Sequence, residues 1–307
     1  MTRWLITGAG GMLGRDLCRL LAAERVPVLP LTRHDLDLTD ERAVGCALHR
    51  ARPAVVVNCA AWTDVDAAES AEERALRVNG EAVRVLARAC AATGARLLHV
   101  STDYVFPGHA GPPYPEDAEP GPRTAYGRTK LAGERAVLGE LPRAGTVVRT
   151  AWLYGPYGRN FVRTMAERAA GDGLVHVVDD QYGQPTATGD VARRLLALGR
   201  GPLRPGVFHA TAGGHTTWYE LAREVFRLAG ADPERVRPTD SGSLRRPAPR
   251  PAWSVLGHDR WQAAGLPRPR HWRDALHAEF AAVAAVAAGT AGADGTASIQ
   301  GGASCAR

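Results

Sequence analysis

The chain has 307 residues, of which 45% are hydrophobic, and its 38 lysines and arginines against 32 aspartates and glutamates give a formal net charge of +6. This length suits one elaborated α/β domain, or a dinucleotide-binding domain that carries a smaller lobe. The arginines are dispersed among acids, which argues against nucleic-acid binding, and no apolar run reaches the ~20 residues of a membrane span.

The first predicted unit is a strand, a glycine turn and a helix. The apolar run Trp4-Leu5-Ile6-Thr7 leads into Gly8-Ala9-Gly10-Gly11-Met12-Leu13-Gly14, and a helical pattern continues to Leu21. Glycines spaced three apart let the backbone turn sharply, bring N–H groups against a pyrophosphate and pack the helix close to the strand. A glycine turn in this context predicts a dinucleotide site.

Strands and helices then alternate. The predicted strands are 26–31, 54–58 and 96–100, and the predicted helices are 40–50 and 69–92. Continuous apolar strands separated by amphipathic helices indicate a parallel sheet covered on both faces, here a doubly wound, Rossmann-type α/β fold. Ligands bind beyond the carboxyl ends of such strands, so the loops 8–14, 58–62 and 101–104 should meet at one crevice.

The second half of the chain has a weaker pattern and predicts a smaller C-terminal substrate-binding lobe. Residues 107–122, 201–206 and 237–251 are predicted loops, the last reaching over a substrate; shorter elements are expected at 160–170, 174–178, 189–199 and 216–229. We expect residues 1–150, completed by parts of 185–215, to form an NADP-binding domain. Residues 151–285 then form the lobe, and 286–307 a flexible tail.

Lys130 is the only lysine of the chain and follows Tyr126 by four residues. At the start of a helix this spacing places both side chains on one face. Lysine carries a compact charge on a thin stem, which suits a site too tight for guanidinium. A nearby ammonium favours phenolate, so we expect it to lower the pKa of Tyr126 toward the range of a general acid.

Thr102 lies at the carboxyl end of the predicted strand, in the loop residues Ser101-Thr102-Asp103-Tyr104. Its hydroxyl there can donate to a ketone oxygen that Tyr126 protonates, or it can cap the loop locally; the spacing leaves both open. Because no protein side chain supplies a hydride, a cofactor must. The end of the second strand reads Thr32-Arg33-His34 instead of ending in an acid, which favours NADPH, with NADH use left open.

The five cysteines form no C-x-x-C pair, which argues against a disulfide framework or zinc site. They are Cys18, Cys46, Cys59, Cys90 and Cys305. No secretory signal is recognised before the glycine turn, because the first apolar run is only a few residues long. We therefore expect a cytoplasmic protein.

Several motifs in order resemble the extended short-chain dehydrogenases/reductases, and among them the dTDP-4-dehydrorhamnose reductase family. They are the three spaced glycines, Asn58-Cys59-Ala60-Ala61-Trp62-Thr63-Asp64-Val65-Asp66-Ala67-Ala68-Glu69, Ser101-Thr102-Asp103-Tyr104-Val105-Phe106, Tyr126-Gly127-Arg128-Thr129-Lys130-Leu131-Ala132-Gly133-Glu134 and Asp180-Gln181-Tyr182-Gly183-Gln184-Pro185-Thr186. The likeness covers most of residues 1–285 and implies reduction of the C4 ketone of a dTDP-4-keto-6-deoxy-L-hexose. The leading case is dTDP-4-dehydro-L-rhamnose going to dTDP-L-rhamnose.

The resemblance also implies roles for individual residues. Thr102, Tyr126 and Lys130 would be catalytic, and Thr102, Asp103, Trp152 and Arg250 would contact the substrate, Arg250 at its diphosphate. Cofactor contacts would lie at Gly8, Gly11, Met12, Leu13, Gly14, Arg33, Asp37, Leu38, Ala60, Ala61, Tyr126 and Lys130. Some relatives hold Mg²⁺ through glutamates where this chain has Arg15-Asp16 and Gly189-Asp190, so we expect no metal.

Other functions remain beside this one. A related dTDP-4-ketohexose reductase of antibiotic deoxysugar or streptose biosynthesis fits the same residues. An NAD-dependent nucleotide-sugar epimerase shares Tyr126 and Lys130, although Arg33 disfavours NAD, and a non-catalytic NADP-binding regulatory subunit is a third alternative. A dehydratase needs a second acid after Asp103, where this chain has Tyr104. The oligomeric state, monomer or homodimer, stays open.

Overall fold

The computed structural model describes residues 3–287, in which strands and helices alternate along the chain. The strands are β1 (Trp4–Thr7), β2 (Val28–Leu31), β3 (Val55–Asn58), β4 (Arg96–Thr102), β5 (Gly145–Thr150), β6 (Leu153–Tyr154), β7 (Val175–Val178), β8 (Tyr182–Gly183), β9 (Thr186–Ala187), β10 (Gly206–His209), β11 (Thr216–Thr217) and β12 (Val236–Thr239). The α-helices are α1 (Met12–Ala23), α2 (Glu41–Ala51), α3 (Val65–Ser70), α4 (Glu72–Leu76), α5 (Ala82–Thr93), α6 (Ala125–Glu140), α7 (Phe161–Ala169), α8 (Thr188–Arg200), α9 (Trp218–Leu228), α10 (Asp259–Ala263) and α11 (Trp272–Ala287).

In the described part of the chain, the central sheet has six parallel strands in the order β10-β5-β4-β3-β1-β2. The chain passes from β1 to β2 on one side and then returns to β3 on the other side of β1. Parallel α/β sheets bind ligands beyond the strand ends at such a reversal. The predicted doubly wound, Rossmann-type α/β fold is confirmed.

Both faces of the sheet are buried, because alternate side chains of each strand point to opposite faces. Leu5 and Val56 pack against residues of α2, α5 and α6, whereas Ile6 and Val57 pack against α1 and α8. All four are fully buried. The continuous apolar strands of the sequence follow from this double burial.

A second apolar cluster joins α7, α9 and α11 to the parallel pair β7–β12. Leu221, Val225 and Leu276 lie at its centre with almost no exposed surface. All residues of this cluster lie beyond residue 150. Within residues 3–287, none of the helices is both long and apolar enough to cross a membrane.

The predicted helix 69–92 is wrong as a single element. The structure instead has α3, α4, a π-helical turn at Arg77–Glu81 and then α5. Asn79, in the π-helical turn, is fully buried and hydrogen-bonds the backbone of Trp62 and the hydroxyl of Thr129. Tertiary hydrogen bonds at this turn therefore accompany the break in the helical pattern.

The predicted loop 237–251 begins in a strand, since β12 runs to Thr239 and pairs with β7. Leu244, Arg246, Arg250 and Pro251 of the remainder line the cavity described below. Helix α11 was not predicted, and it contains residues 286 and 287 of the expected flexible tail. The rest of that tail, residues 288–307, lies outside the described residues.

Candidate active site

The three predicted loops meet at a cavity of about 1200 Å³ beyond the carboxyl ends of the strands. One side is lined by the glycine turn and the ends of β2 and β3, and the other by Trp152, Phe161 and Trp218 of the lobe. Tyr126 and Lys130 line the cavity with the loop that follows β4. Elements from both halves of the chain thus form one crevice.

The glycine turn brings backbone so close together that side chains are excluded. A Cβ at Gly8, whose φ is +67°, would lie 2.6 Å from the Ala60 nitrogen, and one at Gly14 would lie 2.3 Å from the Gly8 oxygen. Helix α1 begins after Gly11 with no side-chain cap among the described residues. Its first N–H groups and its dipole are therefore available to a pyrophosphate, and the residues present fit a dinucleotide.

The ends of strands β1 to β3 place the other predicted cofactor contacts at this cavity. Met12, Leu13, Arg33, Asp37, Leu38, Ala60 and Ala61 all line it. Arg33 is exposed at the rim. The Asp35 carboxylate accepts hydrogen bonds from the Thr32 nitrogen at 2.8 Å and hydroxyl at 2.7 Å, which lower its pKa and fix the loop that carries Arg33.

Tyr126 and Lys130 lie one turn apart on α6, and the Thr124 side chain caps this helix by accepting from the Gly127 nitrogen at 3.0 Å. A Cβ at Gly127 would lie 2.2 Å from the Tyr104 oxygen, so glycine lets the helix approach the β4 loop. The start of α6 is thereby held against the residues that end β4.

The expected downward shift of the tyrosine pKa is wrong. Burial raises the pKa of Tyr126 to about 12, although a hydrogen bond with the Thr102 hydroxyl opposes the shift. The Lys130 ammonium donates instead to the Val100 oxygen at 2.7 Å. The phenol is therefore protonated near neutral pH, which is the form required of a proton donor.

Lys130, the single lysine of the sequence, lies in a confined site, in agreement with the argument from its compact charge. The side chain is 2% exposed. Burial lowers the pKa of Lys130 to about 8, and the charge of Glu134 opposes this shift. Glu134 is itself buried in a bidentate pair with Arg149, at 2.7 Å between Oε2 and NH2, and accepts from Ser101. Sequence reasoning gave Arg149 no role.

Thr102 has the capping role, one of the two roles that the sequence left open; donation to a ketone oxygen stays a prediction. Its Oγ1 accepts from the Tyr104 nitrogen at 3.2 Å, which caps the loop, and the hydroxyl also hydrogen-bonds the Tyr126 phenol. It donates to Oδ1 of Asp103 at 2.9 Å. Asp103 is 3% exposed, and burial raises its pKa to about 6.

The lobe contributes an aromatic wall. Trp152 has a left-handed φ of +46°, which is rare for a bulky residue and is a strained conformation of the kind found at ligand sites. Its ring stacks on Trp218 with 3.5 Å between centroids, and Phe161 packs on Trp218 at 4.6 Å. Phe161 and Trp218 were missed, because an aromatic residue in a helical pattern gives no separate signal.

Arg250 lines the cavity, as a substrate contact would require, but it is engaged by Asp66. Its NH2 lies 2.7 Å and its NH1 2.9 Å from the two carboxylate oxygens. At the positions compared with a Mg²⁺ site, Asp190 pairs with Arg193 and Arg270. No group of three or more potential metal ligands occurs within residues 3–287. Independence from metals stays a prediction.

The chain is similar in sequence to a protein family and to known relatives. The family model described as "RmlD substrate binding domain" matches residues 2–285. The chain is 59% identical over 285 residues to a dTDP-4-dehydrorhamnose reductase of Streptomyces griseus, covering 92% of this chain and 94% of the relative. It is 58% identical to a probable dTDP-4,6-dihydroxy-2-methyloxan-3-one 4-ketoreductase of Streptomyces antibioticus, covering 91% and 94%.

A solved structure is similar over the same range. It is a dTDP-4-dehydrorhamnose reductase of Bacillus anthracis in complex with NADP, with a TM-score of 0.88 and 35% identity. The alignment covers 92% of this chain and 99% of that one.

Proposed function

The chain belongs to the dTDP-4-dehydrorhamnose reductase family, and we propose that it reduces the C4 ketone of a dTDP-4-keto-6-deoxy-L-hexose with NADPH. The leading substrate is dTDP-4-dehydro-L-rhamnose, with dTDP-L-rhamnose as the product. The relatives named above act on dTDP-sugars by their names, and the similar Bacillus anthracis structure holds NADP.

One observation carries the proposal: a protonated phenol, a threonine hydroxyl and a buried ammonium line the cavity that the uncapped α1 N-terminus also faces. NADPH, when bound, supplies the hydride that the ketone carbon accepts. Tyr126 gives its phenolic proton to the oxygen that becomes the C4 hydroxyl. The single hydroxyl proton of Thr102, which Asp103 accepts in this structure, can turn to the same oxygen while negative charge develops on it.

Lys130 acts beside this proton transfer. Its ammonium keeps a positive charge near the phenolate that forms when Tyr126 has donated, which favours the charged product of the step. The Val100 oxygen and the Glu134 charge keep the ammonium in place within a buried site. We assign a contact with the nicotinamide ribose to the same group.

The remaining site residues receive binding roles in this proposal. Asp103 and Trp152 contact the sugar, and Arg250 contacts the diphosphate. Gly8, Gly11 and Gly14 approach the pyrophosphate, while Arg33 is placed to pair with the 2′-phosphate of NADPH.

The domain boundaries and the cellular location belong to the proposal as well. Residues 1–150 with parts of 185–215, which include α8 and β10 of the sheet region, form the NADP-binding domain, and 151–285 form the substrate lobe. The cysteine pattern supports the expected cytoplasmic location.

A related dTDP-4-ketohexose reductase is the second candidate. The Streptomyces antibioticus relative, almost as similar as that of Streptomyces griseus, carries a 4-ketoreductase name for a different sugar. Both candidates use the same proton donor and cofactor, and they differ in the sugar that is reduced. The choice between them therefore depends on the product.

A substrate panel tests the proposal. Purified protein is incubated with NADPH and several dTDP-4-keto-6-deoxy sugars, NADPH absorbance is followed, and the configuration at C4 of each product is determined by NMR. We expect NADPH to be consumed with at least one dTDP-4-keto sugar, and with the L-rhamnose precursor fastest. Binding of NADPH without consumption by any member of the panel would contradict the proposal and favour a regulatory subunit.

A further inference from the structure

Asp66 and Arg250 connect two segments that are 184 residues apart. Asp66 lies in the first turn of α3, where Asp64 caps the helix by accepting from the Ala67 nitrogen at 2.9 Å. Arg250 lies on the segment 240–251, which follows β12 and contributes Leu244, Arg246 and Pro251 to the cavity wall. We call this segment the strap.

The strap is fastened at two places. At its beginning, Asp180 accepts from the Ser241 nitrogen at 2.8 Å and hydroxyl at 2.6 Å. Near its end, Asp66 accepts from the Ala248 nitrogen at 3.1 Å and from both terminal nitrogens of Arg250. The second fastening includes a charged pair, of which the Arg250 side chain is only 14% exposed.

The Arg250 guanidinium keeps N–H donors that its pair with Asp66 does not use. A guanidinium has five N–H groups arranged as a planar fork. NH1 donates to Asp66 and, at 2.9 Å, to the Ala248 oxygen, and NH2 donates one hydrogen to Asp66. Nε–H and the second hydrogen of NH2 have no acceptor within residues 3–287. These two donors lie on one edge of the guanidinium and together form a complete bidentate fork for a phosphate.

We propose that Asp66 is a positioning residue for the substrate diphosphate: it holds the NH1–NH2 end of Arg250 and thereby presents the Nε–NH2 edge to the cavity. This inference rests on the proposed function, because it takes the substrate to be a nucleoside diphosphate sugar. Asp66 itself never touches the ligand and acts through the arginine.

Asp66 has two opposite effects on the binding of an anion by Arg250. Asp66 neutralises Arg250, so by charge alone it opposes the binding of an anion, whereas by fixing a long side chain it removes an ordering cost from binding. Arg246 lines the same cavity close enough to Asp66 to interact with its charge, and it adds a second cation for the anion. Because Asp66 is partly exposed, solvent screens its repulsion. Positioning is the larger effect.

Calorimetry with the full chain measures the binding of dTDP. The matched control is Asp180→Ala, which removes the hydrogen bonds at the beginning of the strap and leaves Arg250 unchanged. We expect Asp66→Ala to raise the Kd of dTDP about tenfold, because the long Arg250 side chain must then be ordered when the ligand binds. Asp66→Asn should raise the Kd less. Asp180→Ala should change it less than twofold. NADP⁺ affinity and the thermal unfolding midpoint serve as checks on folding.

A double-mutant cycle separates positioning from a merely structural role. In the Arg250→Ala background, Asp66→Ala should have no further effect on dTDP, because there is no guanidinium left to orient. In steady-state kinetics Asp66→Ala should raise KM and leave kcat nearly unchanged. Three results would overturn the inference: tighter dTDP binding by Asp66→Ala, an equal loss in Asp180→Ala, or an equal loss in the Arg250→Ala background. If the original chain binds no dTDP, the proposed function fails together with it.

Discussion

Replacing Asp103 by asparagine should stabilise the protein at alkaline pH. Asp103 is 3% exposed, its Oδ1 accepts from Thr102 at 2.9 Å, and its Oδ2 has no hydrogen-bond partner within residues 3–287. Burial raises the pKa of this carboxyl from 3.8 to about 6. Asparagine copies the neutral form, because its oxygen can accept from Thr102 and it carries no charge.

The sign and size follow from the difference in pKa. A raised folded-state pKa means that the fold favours the protonated acid, so this stability is fully present below the unfolded pKa and is lost as pH rises through about 6. Two units at about 1.4 kcal/mol each give a cost of about 3 kcal/mol near pH 8, and of only about 1 kcal/mol near pH 4.5.

Urea denaturation at these two pH values measures the difference. We expect the free energy of unfolding of Asp103→Asn to exceed that of the original chain by about 3 kcal/mol near pH 8 and by about 1 kcal/mol near pH 4.5. Asp172→Asn, at an exposed turn, should change it by less than about 0.5 kcal/mol at both. A gain that is the same at both pH values, or a loss near pH 8, would refute the reasoning.

Four further predictions concern the proposed catalytic and cofactor residues. Tyr126→Phe removes the donated proton and should lower kcat at least about 100-fold while calorimetry still shows NADPH binding; normal turnover would refute the acid role. Lys130→Arg places a larger cation in a site that is 2% exposed, so NADPH titration and kcat should both show a loss, and full activity would contradict the steric argument. Gly14→Ala puts a Cβ 2.3 Å from the Gly8 oxygen and should abolish the rise in unfolding temperature that NADPH gives; an unchanged rise would oppose the assigned turn. Arg33→Ser should raise KM for NADPH about tenfold and leave KM for NADH unchanged; equal effects on both would exclude a 2′-phosphate contact.

Local sequence patterns sufficed where neighbouring residues determine the structure. The run before Gly8, the glycine spacing and the helical period after Leu13 all belong to one continuous segment, and β1 and α1 were predicted within a few residues of their observed bounds. The doubly wound sheet followed because buried parallel strands require apolar side chains on both faces. The meeting of three loops then followed from topology.

Contacts between distant residues were beyond the sequence patterns. Asn79 at the π-helical turn bonds to Trp62 and Thr129, 17 and 50 residues away, and nothing in the local period announces the break. The partner of Arg250 is 184 residues away. The direction of the Tyr126 pKa was wrong for a similar reason, because burial by the assembled walls outweighs the charge of a neighbour that hydrogen-bonds elsewhere.

Transfer of deuterium from NADPH to the sugar carbon follows the proposed reaction itself. NADPH labelled at the transferred position is incubated with dTDP-4-dehydro-L-rhamnose and either the original chain or Tyr126→Phe, and the sugar is analysed by NMR. We expect one deuterium at C4 of dTDP-L-rhamnose with the original chain and almost none with the variant. A product with hydrogen at C4, or equal labelling by both proteins, would contradict it.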